Sequence, residues 1–98
     1  MKTVGEIAGL SEVEANRVGV ELWKKKKYHQ AVKVFEFLLS KNPKSATTWF
    51  NLAVNENELG EKKKAREAYE KGISMDALNP NLLEFSESLL KSELNKSR

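Results

Sequence analysis

Cysteine is absent from the 98-residue chain, which removes disulfide staples, thiolate nucleophiles and Cys-ligated metals together. Pro and Gly are scarce, at two and five residues, too few for a β protein built from many turns. No apolar run approaches the about 18 residues that a membrane-spanning helix needs. Near the start, Lys2 is followed by Thr3, Gly5 and Glu6, which interrupt the apolar residues too often for a signal-peptide core. A cytoplasmic setting is the expectation. The single histidine, His29, sits beside Tyr28 near Lys27 and has no Cys or second His with which to hold a metal; it reads as a surface residue. No glycine-rich phosphate loop occurs, and pairs such as Glu12 with Glu14, or Glu67 with Glu70, are ordinary products of a helical surface. No enzyme, metal or cofactor is expected.

What remains is rich in Lys, Glu, Leu and Ala, the straight-chain and small helix formers, without β-branched runs. The apolar fraction of 40% is enough for one modest core, so a single domain over residues 1–98 is the reading. A net charge of +3 is too small to imply nucleic acid. Lys24–Lys27 and Lys62–Lys64 fall at or near turns, and no Arg–aromatic interleaving accompanies them. They read first as solvated turns, second as a strip for an acidic protein partner, and hardly at all as a nucleic-acid contact.

Sliding the chain along itself brings out a period of 34. Val18 meets Leu52, Gly19 meets Ala53, Ala31 meets Ala65, Phe35 meets Tyr69, and Leu39 meets Ile73. Small residues fall on small, aromatic on aromatic. The units are 12–45 and 46–79, after an N-terminal segment 1–11 and before a capping helix 80–96. Each unit holds two helical stripes: Ala15, Val18, Gly19 and Leu22, then Tyr28, Ala31, Phe35, Leu38 and Leu39; Trp49, Leu52, Ala53 and Leu59, then Ala65, Ala68, Tyr69, Gly72 and Ile73. Ser11 with Glu14 is a capping box, Gly60 a helix stop, and Asn79-Pro80 an N-cap followed by a helix-opening proline. Thr3 with Glu6 could open a short N-terminal helix that turns Val4, Ile7 and Leu10 inward.

The residues Trp49-x2-Leu52-Ala53 and Ala65-x3-Tyr69, echoed by Val18-Gly19, Ala31-x3-Phe35 and Pro43, resemble the tetratricopeptide repeat. That resemblance implies an all-α fold: a right-handed α-solenoid of two helix pairs with the capping helix and the short N-terminal helix. Departures occur at Ala15 in place of Trp, at Leu22 and Glu56 in place of Tyr, and at Ala77 in place of the closing Pro. Lys26 stands where the second unit has Gly60. In the tail, Leu83 and Leu90 occupy first-helix core positions, Ser86 and Glu87 replace the small packing residues, and Leu82, Phe85 and Leu89 would cover the second unit.

In this family the first helices of successive pairs line a concave groove that commonly holds a peptide. Carried over residue by residue, the groove positions are Val13, Asn16, Val20 and Trp23, then Phe50, Asn51, Val54 and Asn57. From the residues alone, Phe50 with Val54, and Val20 with Trp23, are apolar pairs off the core stripes and interleaved with Asn, as apolar anchors and backbone-binding amides would be. The competing reading is that they are core, with Phe50 touching the cap. A carboxylate clamp is not expected, since of its residues only Asn51 matches. The stretches Ala31–Leu38 and Asp76–Pro80 are similar to the chaperones of type III secretion translocators, which implies an exported segment as one alternative partner. A further alternative is self-association to a homodimer, through the cap or through Val34 and Phe37, which face away from the main stripe. Cover of that pair by residues 1–10 is the competing reading. The leading expectation is a protein or peptide partner, acidic in one version, held by a monomer or homodimer.

Overall fold

The computed structural model describes residues 7–85 and residue 87. Four helices follow one another as α1 (Glu12–Lys24), α2 (Tyr28–Lys41), α3 (Ala46–Glu58) and α4 (Lys62–Met75). A fifth, α5, begins at residue 80 and is helical over 80–85. The bounds of α3 and α4 lie 34 residues beyond those of α1 and α2 at both ends. Each helix packs on the next, and α1 also touches α3. The molecule is therefore a stack of helix pairs, all α among the described residues.

Local chemistry sets the ends. The Ser11 hydroxyl accepts from the Glu14 amide at 3.2 Å and donates to the Glu14 carboxylate at 3.1 Å. Glu12 and Glu14 in the first turn and Lys24 in the last complement the helix dipole. Ser45 caps α3 by accepting from the Thr48 amide at 3.3 Å. Asn79 caps α5 by accepting from the amides of Asn81 and Leu82 at 3.1 and 3.2 Å, and Pro80 fills the first helical position, where no N–H is needed.

The two turns within the pairs use the same backbone bend. Gly60 takes it with φ 80°, and its repeat counterpart Lys26 takes it with φ 62°. A side chain in this left-handed region crowds its own backbone, so Lys26→Gly should stabilise the fold by about 0.5–1 kcal/mol, even after the extra freedom that glycine has when unfolded. An upward shift of the urea midpoint at constant m-value checks this; an unchanged or lower midpoint contradicts it.

The core is built on small residues meeting large ones. Ala31, Ala53 and Ala65 are fully buried, and so is Phe35. The Phe35 ring lies against Gly19, where an added Cβ would stand 2.6 Å from Phe35 Cε1. At Gly72 a Cβ would come within 2.9 Å of Leu82 Cδ1 and 3.1 Å of Trp49 Cβ, so this glycine seats α5 on the second pair. Trp49 keeps its place by donating its indole N–H to the Pro43 carbonyl at 2.8 Å. Among the described residues no helix is long and apolar enough to cross a membrane.

One expectation needs correction. Leu83, placed in the core by its repeat position, is 45% exposed, whereas Leu82 and Phe85 are buried. Successive helical residues point about 100° apart, so the register that seats Leu82 under Gly72 turns Leu83 outward. Of the two readings of Val34 and Phe37, cover by residues 1–10 agrees with the structure at Val34, which is 2% exposed and belongs to the same buried cluster as Ile7. Its neighbour Phe37 is half-buried, with the Lys41 ammonium 5.5 Å from the ring centre. Leu89, Leu90 and the Thr3–Glu6 box with Val4 lie outside the described residues.

Candidate functional site

The first helices α1 and α3 run side by side and leave a hollow of about 170 Å³ between them. Val20 and Trp23 line it from α1, Phe50, Asn51, Val54 and Asn55 from α3, and Phe35 from α2. Phe35 and Asn55 are buried to 0% and 1% exposure and form its floor, while Val20, Phe50, Asn51 and Val54 are half-buried walls. Trp23 is 38% exposed at the end of α1, immediately before the Lys24–Lys27 turn. Each side chain is here for a helical reason. Val20 and Trp23, three apart, share the face of α1 that adjoins its Gly19–Leu22 core stripe, and Phe50 and Val54, four apart, do the same beside Leu52 and Ala53 on α3.

Five of the eight residues carried over from the groove pattern thus surround one hollow. The other three are placed differently. Val13, one turn earlier, is 69% exposed. Asn16 donates to the Thr48 hydroxyl at 3.3 Å and to the Glu12 carbonyl at 3.1 Å, and its own oxygen accepts from Asn51 Nδ2 at 3.3 Å. It therefore ties α1 to α3. Asn57 accepts from the Lys62 ammonium at 2.7 Å, which brings a cation one helical turn from Val54. Phe50 also meets α5: its ring stands edge-on to Phe85 with centroids 6.1 Å apart. Phe50 therefore walls the hollow and also touches the cap.

Two buried polar groups on α3 lie outside the carried-over groove positions. Asn55 donates from Nδ2 to the Asn51 carbonyl at 2.8 Å, which fixes the orientation of its amide, and its Oδ1 is buried with no hydrogen-bond partner among the described residues. The next residue, Glu56, is 7% exposed, and its Oε1 is likewise buried and unpartnered. Burial, and then the nearby Glu36 carboxylate, push the Glu56 carboxyl from 4.5 up to about 7; Lys64 opposes the shift, and Glu61 and Glu67 add to it. In sequence, Asn55 falls outside the carried-over groove positions, and Glu56 stands out only as a departure from an aromatic repeat position. The signal that could have found both is their place on the inward side of α3 beside Leu52 and Ala53.

A second, larger hollow, about 440 Å³, lies on the opposite side of α1, between Leu10 and the row Glu14, Arg17, Val18, Glu21, Leu22 and Lys25. Its charged lining is that of an open end of the stack. Among the described residues no cluster of His, Asp or Glu is placed to hold a metal ion.

Comparison with known proteins agrees with this architecture over its second pair, where the tetratricopeptide repeat family matches residues 46–77. No curated protein and no solved structure matches the chain. The matched stretch spans α3, the Gly60 turn and α4, the pair whose Trp49, Leu52, Ala53, Ala65 and Tyr69 follow the family's spacing. Residues 46–77 of this chain are a tetratricopeptide repeat.

Proposed function

We propose that this chain is a non-enzymatic interaction module that holds a peptide, or a segment of a partner protein, in the hollow between α1 and α3. A tetratricopeptide repeat suggests protein–protein interaction in general. The observation that carries the finer reading is the hollow itself: apolar walls from Val20, Trp23, Phe50 and Val54 next to the amide of Asn51. Apolar walls reward burial of a guest side chain by about 1.5–3 kcal/mol, and amides can bond an extended peptide backbone. One or two such anchors suit a weak to micromolar binder, after the cost of ordering the guest.

The test is selection from a random peptide display library, followed by NMR titration of the enriched peptides. Shifts should concentrate at Val20, Trp23 and Val54. Val54→Glu, at a half-buried wall position, should weaken binding at least about tenfold by burying a charge against the guest, with the helical circular dichroism unchanged. Peptides that bind elsewhere, or that ignore Val54→Glu, would contradict the assignment. Phe50→Ala is the poorer probe, because it also removes the contact with Phe85. A second reading, self-association, is favoured by the exposed Met75, Leu78 and Leu83 toward the C-terminal edge; sedimentation over a concentration series decides it, and a monomer throughout ends it.

A further inference from the structure

The hollow has a direction, and the charge beyond it has a sign. Asn16, in the first half of α1, bonds to Thr48 and Asn51 in the first half of α3. Further along, Val20 and Trp23 share the hollow with Val54. The two helices therefore run in the same direction, and the turns that follow them, at 25–27 and 59–61, lie at one end of the stack. That is the end at which Trp23, 38% exposed, forms the rim of the hollow.

This end is cationic. Trp23 leads directly into Lys24, Lys25, Lys26 and Lys27, and α4 opens with Lys62, Lys63 and Lys64; all seven are exposed. Against them stand Glu21, Glu58 and Glu61, so the local excess of positive charge exceeds the net +3 of the whole chain. Lys24 meets Glu21 at 3.7 Å with both side chains more than half exposed, a pair that water screens. Lys62 reaches back to α3, where its ammonium donates to Asn57 Oδ1 at 2.7 Å, one turn beyond Val54. Charge and apolar wall are thus continuous along one surface.

Resting on the peptide-binding reading above, we propose that the partner segment is an acidic stretch carrying one bulky apolar side chain. The apolar side chain fills the hollow, and the carboxylates run out over the lysine turns. Size fixes the number of anchors. An apolar cavity of about 150 Å³ accommodates one benzene ring, and the hollow here is about 170 Å³, small for two guest side chains. Charge fixes the flank. An apolar anchor alone discriminates poorly between partners, and each exposed lysine–carboxylate pair is worth little by itself. Joined on one segment, the anchor supplies retention, while the carboxylates steer the encounter and basic segments are repelled. A nucleic-acid strand would meet the same charge, but the walls are aliphatic and aromatic, and residues 24–27 and 62–64 include no arginine, whose planar fork suits phosphate best.

The experiment titrates the full chain, labelled with nitrogen-15, with short synthetic peptides at low salt. The parent peptide carries a central Phe between glutamates on both sides, so that either chain direction sets carboxylates over the turns. It should shift the Trp23 indole and the amides of Val20 and Val54 together with those of Lys26 and Gly60, all with one dissociation constant. Exchanging the glutamates for glutamines should weaken binding roughly tenfold, and for lysines further. Exchanging Phe for Ala should weaken it at least about tenfold. Raising the salt should erase the advantage of Glu over Gln. A chain with Lys24→Gln, Lys25→Gln, Lys62→Gln and Lys63→Gln, all at exposed positions, should bind the Glu and Gln peptides alike and keep its affinity for the Gln peptide. Equal affinity for the two peptides on the unaltered chain, with shifts in the hollow, overturns the acidic partner and leaves the hollow as a peptide site. Binding that needs the glutamates, ignores the loss of Phe and shifts only the turns overturns the joined surface, and the hollow reading with it. A single-stranded oligonucleotide that shifts the hollow residues at lower concentration than the Glu peptide overturns the proposal in favour of nucleic acid. No binding by any of the peptides overturns it outright.

Discussion

Phe35→Ala should cost about 3–5 kcal/mol of folding stability, most of what a domain of this size possesses. The ring is wholly buried, sits against Gly19 of α1, and also forms the floor of the hollow between α1 and α3. Removing it opens a void at the junction of three helices, where collapse on one side would pull α1 from the other. The contact can be tested from its other partner. Gly19→Ala puts a methyl 2.6 Å from Phe35 Cε1, closer than two carbons can stand, and α1 would have to lift. Overpacking of this kind costs about 1–3 kcal/mol. Alanine would otherwise be the better helix former by about 1 kcal/mol, so a net loss isolates the clash. Combining Gly19→Ala with Phe35→Leu should recover part of that loss, giving a favourable coupling in a double-mutant cycle measured by urea unfolding. A Gly19→Ala chain more stable than the parent would mean that the ring and the glycine do not meet.

The pairing of small and large residues was legible before any coordinates, because it is a property of spacing. Gly19 with Ala53, Ala31 with Ala65, and Phe35 with Tyr69 recur at the same offset, and the helices recur with them. Caps carry local information of the same kind: Ser11, Asn79 and Gly60 act through side chains and φ angles only a few residues away. Leu83 shows where such reasoning stops. Its repeat position marks it as core, yet α5 is the end of the described stack, with no second helix of its own pair described against it. The face that touches α3 and α4 is then free to choose its register, and Gly72 seats Leu82 instead. Val34 is buried in a cluster that includes Ile7, a residue outside either repeat, in agreement with the reading of cover by residues 1–10.

At the candidate site, the apolar lining was legible and the polar partners were not. Val20, Trp23, Phe50 and Val54 follow from helical period and the repeat pattern, and the structure sets them around one hollow. Whether a given Asn faces a guest or a neighbouring helix depends on a fraction of a turn. Asn16 is used up by Thr48 and Asn51, and Asn57 by Lys62. Asn55 turns inward, its oxygen without a hydrogen-bond partner among the described residues, one residue from the wall residue Val54. Periodicity sets Asn55 apart, three residues after Leu52 on the inward side of α3, but does not say which neighbours Asn16 and Asn57 bond.

Glu56→Gln should stabilise the fold at pH 8 by about 2 kcal/mol and leave it nearly unchanged at pH 4. The carboxyl is buried where the repeat ordinarily has an aromatic ring, one oxygen is unpartnered, and Glu36 stands near it. Its affinity for a proton in the folded chain is therefore raised, from 4.5 to about 7. Below pH 4.5 the group is protonated both folded and unfolded, and it contributes no pH dependence. Between 4.5 and 7 the folded chain holds more protons than the unfolded one, so stability falls as pH rises. Above 7 both states are ionised and the full burial penalty is present. Glutamine keeps the shape without the charge, so the difference between variant and parent should be near zero in acid, grow through this window and level off in mild alkali. Lys64→Ala should enlarge it, because Lys64 lowers the Glu56 proton affinity. Urea unfolding at fixed ionic strength from pH 4 to pH 8 measures all three chains. Parallel profiles for the parent and Glu56→Gln would place this carboxylate in water, and with it the α3 face that Asn55 shares.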